Sequence, residues 1–179
     1  MEPTPTLGSL EGVFALFAAK GDMVDPGDGV TQLEHALQSA ALAREECAPD
    51  ALIAACLLHD VGHMLEGEGG LQHEAVGAGW LAKCFPEEVT EPIRLHAEAK
   101  RYLVTRAPSY VEHLAESSLE SLKFQGGLMS SGEVAAFEST PHHEAAVRLR
   151  KIDDRAKDPE ATCAPLESWR MLLARLASA

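Results

Sequence analysis

The chain has no long apolar run. Hydrophobic residues make up 46% of it, which argues against a disordered class, yet nothing approaches the roughly 18 continuous apolar residues of a membrane span. No membrane partner is expected. Met1 to Leu10 has no basic stretch leading into an apolar one, so no signal peptide is expected and a cytoplasmic location is the default. Cysteine is scarce. Cys47, Cys56, Cys84 and Cys163 show no CxxC spacing and read as free thiols in a reducing compartment. Cations are outnumbered, with 15 Lys and Arg against 28 Asp and Glu and a net charge of −13. That disfavours nucleic acid, whose binding depends on neutralising phosphates. It also means that an anionic substrate needs a local basic pocket inside a negative field. No stretch alternates with period two over a useful length, so an all-α fold is expected. Repeats, low-complexity segments and interior linkers are absent as well. At 179 residues the reading is one domain, 1–179, with its functional core at about 30–160.

What is present is helical periodicity. Ser9 to Lys20 carries Leu10, Val13, Phe14, Phe17 and Ala18 on one stripe. Thr31 with Glu34 forms a capping-box pattern for a helix to Glu46. Pro49-Asp50 opens a helix that runs to His59 or Asp60 and stops near Gly62. Gly67 to Gly70 reads as a loop, Gln72 to Phe85 as a helix broken by Pro86, and Pro92 to Leu103 as another. Beyond Pro108, Ser117 or Ser118 caps a short helix, and Gln125-Gly126-Gly127 is a turn. Ser131, Pro141 and Pro165 open the last three.

The chemistry concentrates at His59-Asp60, which closes the apolar run Ala51 to Leu58. A buried carboxylate is costly unless it is paired or bound to a metal. Alone, His35 or His96 would read as a satisfied core histidine, His73 as a helix-start residue and Asp153 as part of a solvated face. As a set, they place one donor on each of four further helices, and helical bundles build metal sites in that way. Six ligands, His35, His59, Asp60, His73, His96 and Asp153, are too many for one tetrahedral ion and suit two octahedral ones. Asp60 is read as the bridge, His35, His59 and Asp153 as one ion's ligands, and His73 and His96 as the other's. A shell of nitrogen and oxygen without sulfur favours iron over zinc.

These residues resemble the H…HD…D pattern of the HD-domain superfamily. The extra histidines make the chain similar to its small mixed-valent diiron oxygenases of the PhnZ type. The carrying segments are Gln32 to His35, Leu57 to His63, Gln72 to Ala78, Lys100 to Val104, Gln125 to Gly127 and Arg150 to Asp153. The resemblance implies two iron ions, Fe(II)/Fe(III), with dioxygen as co-substrate and a small organophosphonate as substrate. Hydrogen is then removed from the hydroxyl-bearing carbon of a 1-hydroxyalkylphosphonate, and the C–P bond breaks to give a carboxylate and phosphate. It further implies that Lys100, Arg150 and Ser118 bind the phosphonate. His63 would bond the substrate hydroxyl or the oxygen and act, with Asp60, in catalysis. Lys100 lies four residues after His96 and Arg150 three before Asp153, so each shares a helix face with a ligand.

One departure concerns the substituent. Enzymes for 2-aminoethyl substrates carry Tyr and, three residues on, Glu before the first histidine ligand. Here those positions are Asp25 and Asp28, which implies a larger, still negative pocket. A trimethylammonium substrate, releasing glycine betaine rather than glycine, is slightly favoured, with Trp80, Tyr102 and Phe124 as candidate aromatic walls. The alternative is a metal-dependent phosphohydrolase acting on a phosphate ester or nucleotide with the same ligands. A signalling module that only binds a ligand is a third reading. The chain is expected to be a monomer or small homo-oligomer. His113, His142 and His143 fall outside the constellation and read as surface residues.

Overall fold

A computed structural model describes residues 9–24, 29–66 and 72–177. Among the described residues there are ten α-helices, two 3-10 turns and no strand beyond one isolated bridge between Val24 and Thr31. The fold is all-α. No helix among these residues is long and apolar enough to cross a membrane.

The first helix, α1 (Leu10–Lys20), starts where the Ser9 side chain accepts the Gly12 amide. In α2 (Gln32–Glu45) Thr31 and Glu34 form the full capping box, satisfying two amides that the helix would otherwise leave open. Next, α3 (Asp50–Leu58) is buried on every side from Leu52 to Leu58, as expected of a helix that is apolar all round. It packs against α2, α6, α9 and α10. Its stiff, buried end delivers His59 and Asp60.

The chain does not leave helical structure at Gly62. It turns at His59-Asp60 and continues as α4 (Val61–Glu66). The role of Gly62 is close approach. A Cβ there would lie 1.9 Å from the His73 carbonyl oxygen, and one at Gly77 would lie 3.1 Å from the Gly62 nitrogen. These two glycines let α4 and α5 (His73–Leu81) touch backbone to backbone.

The longest helix, α6 (Glu87–Arg106), begins five residues before the expected Pro92. Pro86 ends the preceding turn and opens α6, while Pro92 is carried inside it. Within a 20-residue helix anchored against α3, α5 and α9, one lost amide bond is tolerated. A 3-10 turn (Pro108–His113) leads to α7 (Glu116–Phe124). There Ala115 holds the cap position, so neither Ser117 nor Ser118 is the cap. As expected, Ser131 is the first residue of α8 (Ser131–Ser139), which Ser130 caps together with Glu133. The next helix, α9 (His143–Asp153), starts two residues after Pro141 because His142 takes a left-handed conformation, φ 66°. Pro165 opens a 3-10 turn (Leu166–Trp169), and α10 (Arg170–Leu176) follows. The main core gathers α1 to α6, α9 and α10, and a smaller cluster around Phe137 joins α6, α8 and α9.

Candidate metal centre

Five helices bring the six candidate ligands to one place. His35 comes from α2, His59 and Asp60 from the end of α3, His73 from the first position of α5, His96 from α6 and Asp153 from the end of α9. The His35 Nε2 atom is 3.1 Å from Asp153 Oδ1 and 3.1 Å from His59 Nε2. Asp60 Oδ2 stands 3.5 Å and 3.4 Å from the same two nitrogens. On the other side, Asp60 Oδ1 lies 3.6 Å from His73 Nε2 and 3.8 Å from His96 Nε2, which are 3.1 Å apart. The two oxygens of Asp60 thus face two different donor groups. Donors about 2.1 Å from a shared ion are about 3.0 Å apart at a right angle and about 3.4 Å at the tetrahedral angle. The spacings fit one ion on each side of Asp60.

Hydrogen bonding fixes which nitrogens are free. His35 Nδ1 donates to the Ala156 carbonyl at 2.8 Å, His59 Nδ1 to Cys56 at 2.9 Å and His96 Nδ1 to Ile93 at 2.6 Å. A carbonyl only accepts, so each Nδ1 carries a proton and, in the neutral ring, each Nε2 presents a lone pair. In the neutral rings of His35 and His59, then, lone pairs face each other at 3.1 Å, and His96 Nε2 presents one toward His73 Nε2 at the same distance. Such a pair repels unless a cation, either a proton or a metal ion, lies between. Both groups can hold a metal ion.

The electrostatics agree. Burial disfavours charge on His59, yet Asp60 and Asp153 overcome it and push its pKa up to about 10. Burial, then His59, lowers His96 to about 4, and burial drives His73 well below the ordinary histidine value. Burial favours the neutral acid at Asp153, but Arg150, His35 and His59 hold it well below the usual carboxylate range. Asp60 is held down by His59 in the same way. The site is a buried anionic cage that attracts positive charge.

Beside it lies a second polar group. Lys100 is 2% exposed, and its Nζ donates to Ser121 Oγ at 2.6 Å. No carboxylate comes within ion-pair distance of it among the described residues. Burial, then the neighbouring Arg150, lowers its pKa to about 7. Arg150 pairs with Asp153 Oδ2 through Nη1 at 2.8 Å and donates to Ser118 Oγ through Nη2 at 3.0 Å. His63 sits at the more open side, its ring stacked on His73 with centroids 3.8 Å apart and its Nε2 4.0 Å from Asp60 Oδ1.

Similarity then gives the arrangement a family. The HD-domain model matches residues 32–163. The chain belongs to the HD-domain family. It is 48% identical over 139 residues to a hydroxymethylphosphonate dioxygenase of Gimesia maris, covering 73% of this chain and 69% of that one. It is 37% identical over 156 residues to a [1-hydroxy-2-(trimethylamino)ethyl]phosphonate dioxygenase (glycine-betaine-forming) of Leisingera caerulea, covering 83% and 80%. An uncharacterized protein of Acanthamoeba polyphaga mimivirus is 36% identical over 157 residues, covering 82% and 72%. With such relatives, this HD-domain protein is an oxygenase.

Several polar residues of this HD-domain site were not singled out from the sequence. Ser121 is one helical turn after Ser118, a spacing that pointed to it. Glu74 Oε2 lies 3.4 Å from His73 Nδ1, where the other three histidines use carbonyls. Asp154 has its side chain 6% exposed and paired with Arg150; its i, i+4 spacing from Arg150 was the available signal. Tyr110 Oη donates to Asp154 Oδ2 at 2.7 Å, a contact no local spacing announces. Two of the three candidate aromatic walls are engaged elsewhere. Trp80 is in the main core, Tyr102 packs on Phe137 and donates to Glu138, and Phe124 is exposed. Asp25 and Asp28 lie outside the described residues. Of the histidines read as surface residues, His113 is exposed, whereas His142 and His143 are half-buried.

Proposed function

We propose that this protein uses two iron ions and dioxygen to cleave the C–P bond of a 1-hydroxyalkylphosphonate. The observation that carries the reading is the pair of donor groups shared across Asp60, next to a buried lysine that has no carboxylate partner among the described residues. His35, His59 and Asp153 would hold one ion, His73 and His96 the other, and Asp60 would bridge. Iron, when bound, supplies the redox chemistry that an inert C–P bond requires.

The protein's own residues do the rest. The Lys100 ammonium would neutralise one phosphonate oxygen, with Ser118 and Ser121 hydroxyls beside it and the Arg150 guanidinium behind Ser118. A cation held out of water costs several kcal/mol unless an anion joins it, so the substrate completes the pocket. His63, at the open side, would receive the hydrogen bond of the substrate hydroxyl. Burial of the remaining groups keeps water away from the reacting carbon.

The smallest substrate of this class, hydroxymethylphosphonate, is favoured. Its named relative is the more similar of the two dioxygenases, and Trp80 and Tyr102 are committed elsewhere while Phe124 is exposed, rather than forming a wall for a quaternary ammonium. The balanced reaction takes hydroxymethylphosphonate and dioxygen to formate, phosphate and a proton. The trimethylammonium substrate is the second reading, supported by the Leisingera relative and by the acidic pair Asp25 and Asp28.

An oxygen electrode decides between these and hydrolysis. Iron-loaded protein should consume one dioxygen per phosphate released from one of the two hydroxyphosphonates. Metal-dependent release of phosphate from a phosphate ester, with no oxygen uptake on either phosphonate, would establish the phosphohydrolase instead.

A further inference from the structure

Asp154 directly follows a candidate ligand, yet it faces away from the donor cage. Its carboxylate grips Arg150 by two edges. Nε donates to Oδ2 at 3.2 Å, and Nη2 donates to Oδ1 in a short contact. The Tyr110 hydroxyl, from the 3-10 turn after α6, donates to the same Oδ2 at 2.7 Å. The far edge of the guanidinium holds Asp153 Oδ2 at 2.8 Å, while Asp153 Oδ1 points at His35 and His59 at 3.1 and 3.6 Å. Four side chains therefore form one line, from Tyr110 through Asp154 and Arg150 to the metal-facing carboxylate.

A carboxylate rotates freely about its last bond unless both oxygens are held. At Asp153 one oxygen faces the donor cage and the other is tied to Arg150. The rigid, planar guanidinium transmits position from one edge to the other. Its own orientation is set by Asp154, and Asp154 is set by Tyr110. On the outer side, Tyr110 and Asp154 line an open cavity of about 460 Å³ with Glu46, Arg148, Lys151 and Arg155. The line thus stands between solvent and the buried side of the cage. Carboxylates and other partners behind a metal's ligands typically change affinity or activity by about 10–100-fold when removed.

We infer that Asp154 and Tyr110 are positioning residues for the ion held by His35, His59 and Asp153, acting through Arg150. The inference rests on the metal-ligand role proposed for Asp153 but not on the substrate. The test uses full-length, iron-loaded Tyr110→Phe and Asp154→Asn proteins. Tyr110→Phe removes a single oxygen and should melt within a few degrees of the parent. Iron retention against a graded chelator should fall about threefold for Tyr110→Phe and about 10–100-fold for Asp154→Asn. The spin signature of the iron pair should change in both. Parent-like retention and spin signature in Tyr110→Phe and in folded Asp154→Asn would overturn the inference. If Asp154→Asn does not fold, Tyr110→Phe decides alone. Failure of the substrate reading would show as absent oxygen uptake in the parent and would leave the retention test intact.

Discussion

His35, His59 and Asp153 have side chains 7%, 1% and 7% exposed, whereas His73, Asp60 and His63 are 12%, 17% and 25% exposed. One side of the cage is sealed and the other meets solvent. The sealed side is held by α2 and by the ends of α3 and α9, and its two histidine Nδ1 atoms are tied to backbone carbonyls. The open side pairs His96, 2% exposed within α6, with His73, the first residue of a short helix, which is turned toward Glu74 rather than a carbonyl. A sealed donor set suits retention of an ion. An open one suits exchange of small ligands, which a reaction with dioxygen and an external substrate needs. Asp60 is the carboxylate that faces both sides, and the His59 and His96 rings also meet across the divide, with centroids 5.3 Å apart.

The strongest way to break that comparison is Asp60→Ala. It removes the one carboxylate that faces both groups. Iron content should fall from two per chain toward none, and phosphonate-dependent oxygen uptake should be lost. Full retention of one ion would show that the sealed side stands without the bridge, and the shared role of Asp60 would be wrong.

Gly62→Ala should separate the two sides. The new methyl meets the His73 carbonyl at 1.9 Å, so α5 must move and take His73 with it. We expect a stability loss of about 1–3 kcal/mol from overpacking, or a melting temperature lower by several degrees. The sealed ion should stay and the open one should weaken. Metal counting on the folded variant checks this, and equal loss from both sides would contradict the division.

These cases show what was legible in the sequence and what was not. Caps and periodicity placed α1, α2 and α3 because their signals are local: Ser9, the Thr31–Glu34 box, and an apolar run with no polar face. The same logic put the α6 start at Pro92 and read Gly62 as a stop, missing the helix α4 that begins beside it. Both errors come from reading proline and glycine as breakers where tertiary packing uses them otherwise. Pro92 survives because α6 is anchored on three helices. Gly62 is a contact point for a segment eleven residues away, and no local pattern reports such a contact. The six candidate donors were legible because their spacing repeats a known pattern. Asp154 and Tyr110 were not, since their importance lies in a line of contacts 44 residues apart in sequence.

Lys100→Ala sharpens the assignment of the anion pocket rather than the cage. Lys100 donates to Ser121, and among the described residues no hydrogen bond or ion pair joins it to a donor of the cage. Iron content should stay unchanged. A lost charge-assisted hydrogen bond contributes about 1.5–3 kcal/mol, so KM for the phosphonate should rise about 10–100-fold, with a smaller change in kcat. An unchanged KM would remove Lys100 from the phosphonate site.

The smallest expected effect is the titration of the same group. Burial, then Arg150, brings Lys100 from an ordinary value of 10.5 down to about 7. Only the ammonium form attracts a phosphonate. KM in the parent should therefore rise as pH passes upward through about 7, because the charge is lost while the nitrogen still donates hydrogen bonds. Stability runs the other way. Between about pH 7 and 10.5 the unfolded lysine binds a proton that the folded one has released, so this group adds stability as pH climbs through that window and adds nothing further below it. The phosphonate itself also titrates near neutrality, which makes Lys100→Met the necessary control. In that variant the KM step near pH 7 should shrink to what the substrate alone produces. A step of undiminished size would assign the pH dependence to the substrate or to another side chain, and the charge on Lys100 would no longer explain how this pocket holds its anion.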